Sequence, residues 1–468
     1  MRYRLRPVRP RHQARLRLTL ATLLLPLLGI VLLTRTDVAR RPLAEREATL
    51  AIDLQRMRRA ELGQESSPEL HGNWTSTSMA LVARMPRLAG DRELQLRLAG
   101  LVAGALALGV LVRLGTRLFA PRVGIAVAVL MLALPTGRHL IGIDLGVEPF
   151  YLVSALLALL AIRGMAQARI AAVFAGAASG VAFALAGLDA LWLPLLALAW
   201  LRVHQGLGWR SAGVVIGTTA LATAVAIAAG WLLHGRGAGE PMLPLAASLA
   251  YLDATLLRPA PAARELIPLL PLIALGLWSM RGTWWQSESF RFLLLWLVFA
   301  AGSWALFGSA AGAYVALLFL ACAVALLALE HARLLLSLPA CGIAIGLAVA
   351  FWQAAPKPSE SQMIDSWAIR EAGRFVGRVI GADRRVAANP RAARRFAYYA
   401  NRTVEPFTNA PLPPENADYV ILPRPDYQLL REQRSPREEG VGRDTTKHLE
   451  RIAEFGSWVV ARLSPARE

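Results

Sequence analysis

The feature that most restricts this chain is a succession of apolar runs, many of them about 17–22 residues long, separated by short arginine-bearing segments. A run of that length matches the hydrocarbon thickness of a bilayer. A water-soluble chain of 468 residues would instead interleave short amphipathic segments with polar loops. The pattern predicts an all-α polytopic membrane protein, with about eleven transmembrane helices if each run crosses once.

The runs fall near residues 18–33, 94–114, 123–134, 150–162, 170–185, 191–201, 213–233, 266–278, 292–307 and 314–329, with a last one ending near Phe351. Every second connection is short and carries Arg, as in 115–122, 163–169, 202–210, 281–291 and 330–333. Most acid-bearing connections fall between them, which places the arginines on the cytoplasmic side and both the acids and the C-terminus outside. The basic stretch 1–17 is then a cytoplasmic tail. The first run is followed by TRTDVARR and not by small residues, so an uncleaved span is expected there. The spans carry few ionisable groups near their centres, which argues against a proton or ion pathway.

The net charge of +19 fits this arrangement. The arginines sit between apolar runs, and no soluble segment combines a basic face with aromatic residues, so contact with anionic lipid is expected and nucleic acid is not. The two cysteines, Cys322 and Cys341, lie inside apolar runs and read as small hydrophobes. The seven histidines show no metal-ligand spacing.

Composition shifts after Pro356 and Pro358. Charge density rises, an amphipathic helix is predicted at 364–380, and short strands at 386–388, 419–422 and 458–463. Three parts follow: the tail 1–17, a transmembrane domain 18–353 with a first outer loop at 36–93, and a small α/β periplasmic domain 354–468.

Within the first outer loop, Pro42–Met57 carries Glu45 and Glu47 two residues apart, Asp53 beyond them, and apolar positions at Leu50, Ile52, Leu54 and Met57. Amphipathic pieces at 45–62 and 74–88 are expected to lie along the membrane surface. On position alone, Glu47 reads equally well as a solvated loop acid or as a group with work to do.

The order of motifs around these acids resembles the GT-C glycosyltransferases that use lipid-linked sugars, of the protein O-mannosyltransferase and lipid A aminoarabinose transferase type. Arg46-Glu47 followed by Gln55-Arg56-Met57 resembles that family's outer acidic pair and the triplet closing its helix. The block Gly90–Pro135, opening GDRELQLRL, is similar to the family's Gly-Asp-x-Glu and Arg-Leu element with the span behind it. GRHLIGIDLGVEP resembles the second outer acid, and Gly312-Ala313-Tyr314 a late element in which Tyr opens a span. The chain departs from the family at three places. Arg46 stands where the family's first Asp is expected, 74–77 reads Trp-Thr-Ser-Thr without the family's Lys, and no basic residue precedes Tyr314 closely.

The resemblance implies transfer of a sugar from a polyprenyl-phosphate carrier to an envelope acceptor, whether lipid A, a glycan or a protein, at the outer face of a bacterial inner membrane. The family's first Asp is its expected catalytic residue, and with Arg46 in that place Glu47 is the first candidate for the base and Glu45 the next, with Asp144 or Glu148 in the second acidic role. Arg258, Arg58, Arg59 and Arg138 are the candidates for holding the carrier, with Tyr314 touching it. Juxtamembrane Arg and Tyr are also ordinary interfacial anchors. No tightly bound metal is expected, although outer carboxylates have the chemistry to hold Mg²⁺ or Mn²⁺. The departures favour one alternative, a catalytically inactive scaffold that binds a lipid-linked glycan or a partner protein.

Overall fold

The computed structural model describes residues 42–43, 47–49, 51–55, 92–141, 148–165, 170–205, 209–234, 287–307, 311–330, 360–407, 417–434 and 447–465. The chain divides into two compact units, Met1–Ala39 with Asn73–Ala355, and Arg40–Gly72 with Pro356–Glu468. The expected spans near 18–33 and 266–278 and the one ending near Phe351 lie outside the described residues.

Among the described residues, the regular elements of the first unit are all helices. Its helices are α1 (Arg92–Leu118), α2 (Pro121–Ala133), α3 (Pro135–Leu140), α4 (Glu148–Gly164), α5 (Ile170–Ala186), α6 (Trp192–Gln205), α7 (Trp209–His234), α8 (Glu288–Phe307) and α9 (Ala311–Glu330). Segments of four of them, Leu96–Leu118, Ile170–Ala190, Arg210–Ala229 and Glu288–Leu306, are long and apolar enough to cross a bilayer. Shorter apolar stretches occupy Pro121–Leu132, Trp192–Val203 and Ala311–Val324. The interval between the apolar runs 123–134 and 150–162 is not all loop, since Pro135–Leu140 form α3. Pro135 suits a first helical position because it has no N–H to leave unpaired, and Arg138 Nε donates to Leu132 O at 2.8 Å, closing the end of α2.

Helix packing follows the small residues. α5 lies along α7 through Gly176 and Gly180, where a Cβ would stand 2.7 Å from Val215 O and 2.5 Å from Thr219 O respectively. Close backbone approach through glycine is a principal source of association where lipid tails are as apolar as the side chains. α4 joins α5 to α1, and α1 packs on α2. α6, α8 and α9 form a second group held by aromatic pairs, Trp200 edge-on to Phe292 at 4.9 Å and Trp296 tilted on Phe319 at 5.6 Å. Free Cys322 is buried in this core, as its apolar surroundings suggest.

The connection from α5 to α6 is a 3-10 turn, Gly187–Ala190, entered by Gly187 at φ 63°. That left-handed backbone is cheap only for glycine. The Asp189 carbonyl accepts from Tyr151 Oη at 3.3 Å and from Ser303 Oγ at 3.1 Å, while Trp192 Nε1 donates to Tyr151 Oη at 3.0 Å. Two helices, α4 and α8, thus satisfy a carbonyl at a helix end, and α6 steadies the Tyr151 hydroxyl that does so.

The second unit contains a five-stranded sheet. Its strands are β1 (Val386–Ala388), β2 (Glu405–Pro406), β3 (Tyr419–Pro423), β4 (Lys447–Phe455) and β5 (Trp458–Pro465), in the order β2-β1-β3-β5-β4. The β1 pairings to β2 and β3 are parallel, and β3-β5 and β5-β4 are antiparallel. Alternate residues serve opposite faces. Val386, Ala388, Ile421 and Val460 pack beneath α10 (Glu360–Val379) and α11 (Ala393–Ala400). Ala387, Val420, Leu422, Val459 and Ala461 face α12 (Arg424–Arg434) through Tyr427 and Leu430. Covering on both faces makes β3 buried at three consecutive positions.

Polar closures fix the ends of these elements. Arg402 donates to the carbonyls of Ile380, Gly381, Ala382 and Arg384, gathering the chain after α10. Asn401 ends α11 at φ 53°, a left-handed cap that Asn tolerates. Asp365 accepts from Ser457 Oγ at 2.5 Å and Trp458 Nε1 at 2.6 Å, fastening α10 to the β4-β5 turn.

Candidate functional site

The segment bearing Glu47 is helical at 47–49 and 51–55 and belongs to the same unit as the sheet. Its two described acids are not on a solvated face. Glu47 is 3% exposed and Asp53 1%, and Leu43, Ala48, Ala51 and Leu54 are buried with them. This corrects the solvated-acid reading for Glu47. A buried carboxylate is costly unless it is hydrogen-bonded or paired, and neither Glu47 nor Asp53 lacks a partner.

Two hydrogen bonds fasten this segment to α11. Leu43 N–H donates to Tyr399 Oη at 2.7 Å, and Arg394 Nη1 donates to Thr49 Oγ1 at 3.1 Å. Glu47 lies between the two anchored residues. Sequence reasoning passed over Arg394 and Tyr399, and no local pattern marks them, because their partners lie about 350 positions earlier.

The remaining candidates belong to the first unit. Glu148 is the first residue of α4, where its charge complements the positive end of the helix. Arg138 lies on α3, which packs against α4, with its Nε committed to Leu132 O. Tyr314 lies in the first turn of α9 and is 1% exposed, so it is a core residue and not an interfacial anchor. Glu45, Arg58, Arg59, Asp144 and Arg258 lie outside the described residues.

One charged pair in the quoted GDRELQLRL block is more buried than its sequence suggested. Glu93 and Arg97 are 1% and 0% exposed near the start of α1. Their four-residue spacing puts both on one helical face, which was the available signal. At the other end of the bundle Arg163 Nη1 binds Glu288 Oε1 at 2.6 Å, with its guanidinium 5.5 Å from the Trp200 ring centre. Among the described residues no three His, Cys, Asp or Glu side chains converge as a metal site.

Four of the described helices are long and apolar enough to cross a membrane, and the chain shares its fold with solved structures. Solved structures share that fold over most of the chain. ArnT from Cupriavidus metallidurans bound to undecaprenyl phosphate matches with a TM-score of 0.57 at 14% identity, covering 97% of this chain and 98% of its own. Its apo form matches at 0.58 and 15%, covering 96% and 98%. The apo oligosaccharyltransferase of Archaeoglobus fulgidus matches at 0.50 and 12%, over 87% of this chain and 69% of its own. No protein-family model and no curated protein sequence matches the chain. At these identities the likeness is one of fold.

Proposed function

We propose that this chain is a glycosyltransferase that moves a sugar from a polyprenyl-phosphate carrier to an envelope acceptor at the outer face of a bacterial inner membrane. The observation that carries the reading is the fold shared over 97% of the chain with ArnT, a protein whose structure holds undecaprenyl phosphate. The motif order from Arg46-Glu47 to Tyr314 supports it independently of the fold. In this reading the chain is multi-pass, with its N-terminus cytoplasmic and its C-terminal α/β domain periplasmic.

The chemistry asks for two things. An acceptor hydroxyl attacking the anomeric carbon must lose its proton, which a carboxylate within hydrogen-bond reach accepts. The departing polyprenyl phosphate needs cationic or N–H donors for its charge. Glu47 is the proposed base and Glu45 the next choice. Asp144 or Glu148 supplies the second acid, which orients the acceptor or the sugar. Arg58, Arg59, Arg138 and Arg258 are the proposed phosphate partners, and Tyr314 backs the carrier's site from the core. A base of this kind needs no resident metal.

Arg46, at the place of the related family's Asp, favours a second reading. There the chain is an inactive scaffold that binds a lipid-linked glycan or a partner protein. The deciding experiment supplies the full chain, in membranes, with a panel of labelled polyprenyl-phosphate sugars and envelope acceptors. Donor-dependent incorporation supports the enzyme. Carrier binding with no turnover for any donor contradicts it and selects the scaffold.

A further inference from the structure

On the reading of Glu47 as the base, we propose that the C-terminal domain is part of the catalytic apparatus, with Arg394 and Tyr399 as positioning residues that hold the Glu47 segment in place. Each acts through the backbone or side chain of a residue close to Glu47 in sequence.

The geometry is that of a two-point clamp. Tyr399 Oη receives the Leu43 N–H at 2.7 Å in a buried setting, four residues before Glu47. Arg394 Nη1 reaches Thr49 Oγ1 at 3.1 Å, two residues after it. The acceptor of the first bond, Tyr399, and the donor of the second, Arg394, both come from one eight-residue helix, α11. A base must stand within a fraction of an ångström of its working place, and a short segment with a single anchor would pivot about it. Anchoring on both sides removes that freedom.

The helix that forms the clamp is itself fixed. Phe396 meets the Trp458 ring edge-on at 5.0 Å, tying α11 to β5. Gly373 and Gly377 on α10 let α11 approach closely, since a Cβ at 373 would stand 2.6 Å from Tyr399 Cβ and one at 377 would stand 2.6 Å from Ala400 O. The four-residue spacing of these glycines puts both on the face that meets α11. Tyr399 is thereby aimed by backbone packing, and its ring also meets Tyr398 edge-on at 5.1 Å. Burial of Glu47, Thr49 and Asp53 in the same segment means that a shift would expose or unpair charged groups, which opposes slack.

The test compares Thr49→Val, Arg394→Ala, the double variant, Arg394→Lys and Tyr399→Phe with wild type and Glu47→Gln, all as full chains in membranes. A clamp predicts that kcat falls about tenfold in Thr49→Val and Arg394→Ala, with no further fall in the double variant and little change in donor KM. Arg394→Lys keeps a donor and should recover part of the loss. Hydrogen exchange should quicken in peptides covering 42–55 for Tyr399→Phe and Arg394→Ala while the β3 and β5 peptides keep wild-type protection. If Glu47→Gln abolishes transfer but the clamp variants keep wild-type kcat and exchange, the clamp is overturned alone. If Glu47→Gln retains full transfer, the base assignment fails and the clamp's purpose fails with it.

Discussion

Arg394 donates a hydrogen bond to the hydroxyl of Thr49, a residue 345 positions earlier in the chain. The bond makes the first outer segment and the C-terminal sheet members of one folded unit, though a long helical bundle separates them in sequence. Glu47, which reads as a loop charge in the sequence, is buried between two residues bonded to a helix about 350 positions later.

Arg163 is expected to matter for the stability of the bundle. Its ion pair with Glu288 at 2.6 Å is only 11% exposed on the arginine side, and its guanidinium also faces Trp200. Arg163→Ala should cost about 2 kcal/mol, the scale of a charged hydrogen bond lost from a partly buried site. Arg163→Lys should recover only part, because an ammonium cannot combine the same fork with a stacked face. Thermal unfolding in detergent measures both.

Glycines on the two sides of the α5-α7 contact give a controlled pair. Gly176→Ala forces a methyl against the Thr218 hydroxyl and 2.7 Å from Val215 O, so α7 must move and the melting temperature should fall. Gly217→Ala meets nothing within 4 Å and should be neutral or stabilising by up to about 1 kcal/mol, from helix propensity alone. Equal effects at the two positions would contradict the packing described.

Asp365 should set the stability of the β4-β5 turn. Asp365→Ala removes the acceptor shared by Ser457 and Trp458, leaving a part-buried indole N–H unsatisfied at a cost of about 1–3 kcal/mol. Faster hydrogen exchange in the β4-β5 hairpin, with the bundle peptides unchanged, is the expected result.

The proposed general base works without a cation, so sugar transfer should persist in excess chelator. Loss of transfer on chelation, restored by Mg²⁺ or Mn²⁺, would assign the outer carboxylates to a metal instead.

The parts of the fold that could be read in advance are those that solvent dictates. Lipid demands long apolar runs, and the expected spans that fall on described residues are all helices, from Arg92–Leu118 to Ala311–Glu330. β1, β3 and β5 were legible because they are apolar and bounded by turn residues. β4 was not, since Lys447–Phe455 is, among the described residues, an edge strand paired to β5 and largely polar, so burial leaves little mark on its sequence. α3 was hidden by Pro135, which signals a break and equally a helix start. The site was legible as residue types in a familiar order. Its physical state was not, because burial of Glu47 and the bonds to Arg394 and Tyr399 depend on contacts between the two ends of the chain.

The most direct test of the account is transfer of labelled sugar from a polyprenyl-phosphate donor by membranes carrying wild type or Glu47→Gln at matched protein level. The account predicts transfer by wild type and its loss, by about a hundredfold or more, in the variant, as removal of a general base requires. Equal transfer by the two would contradict it.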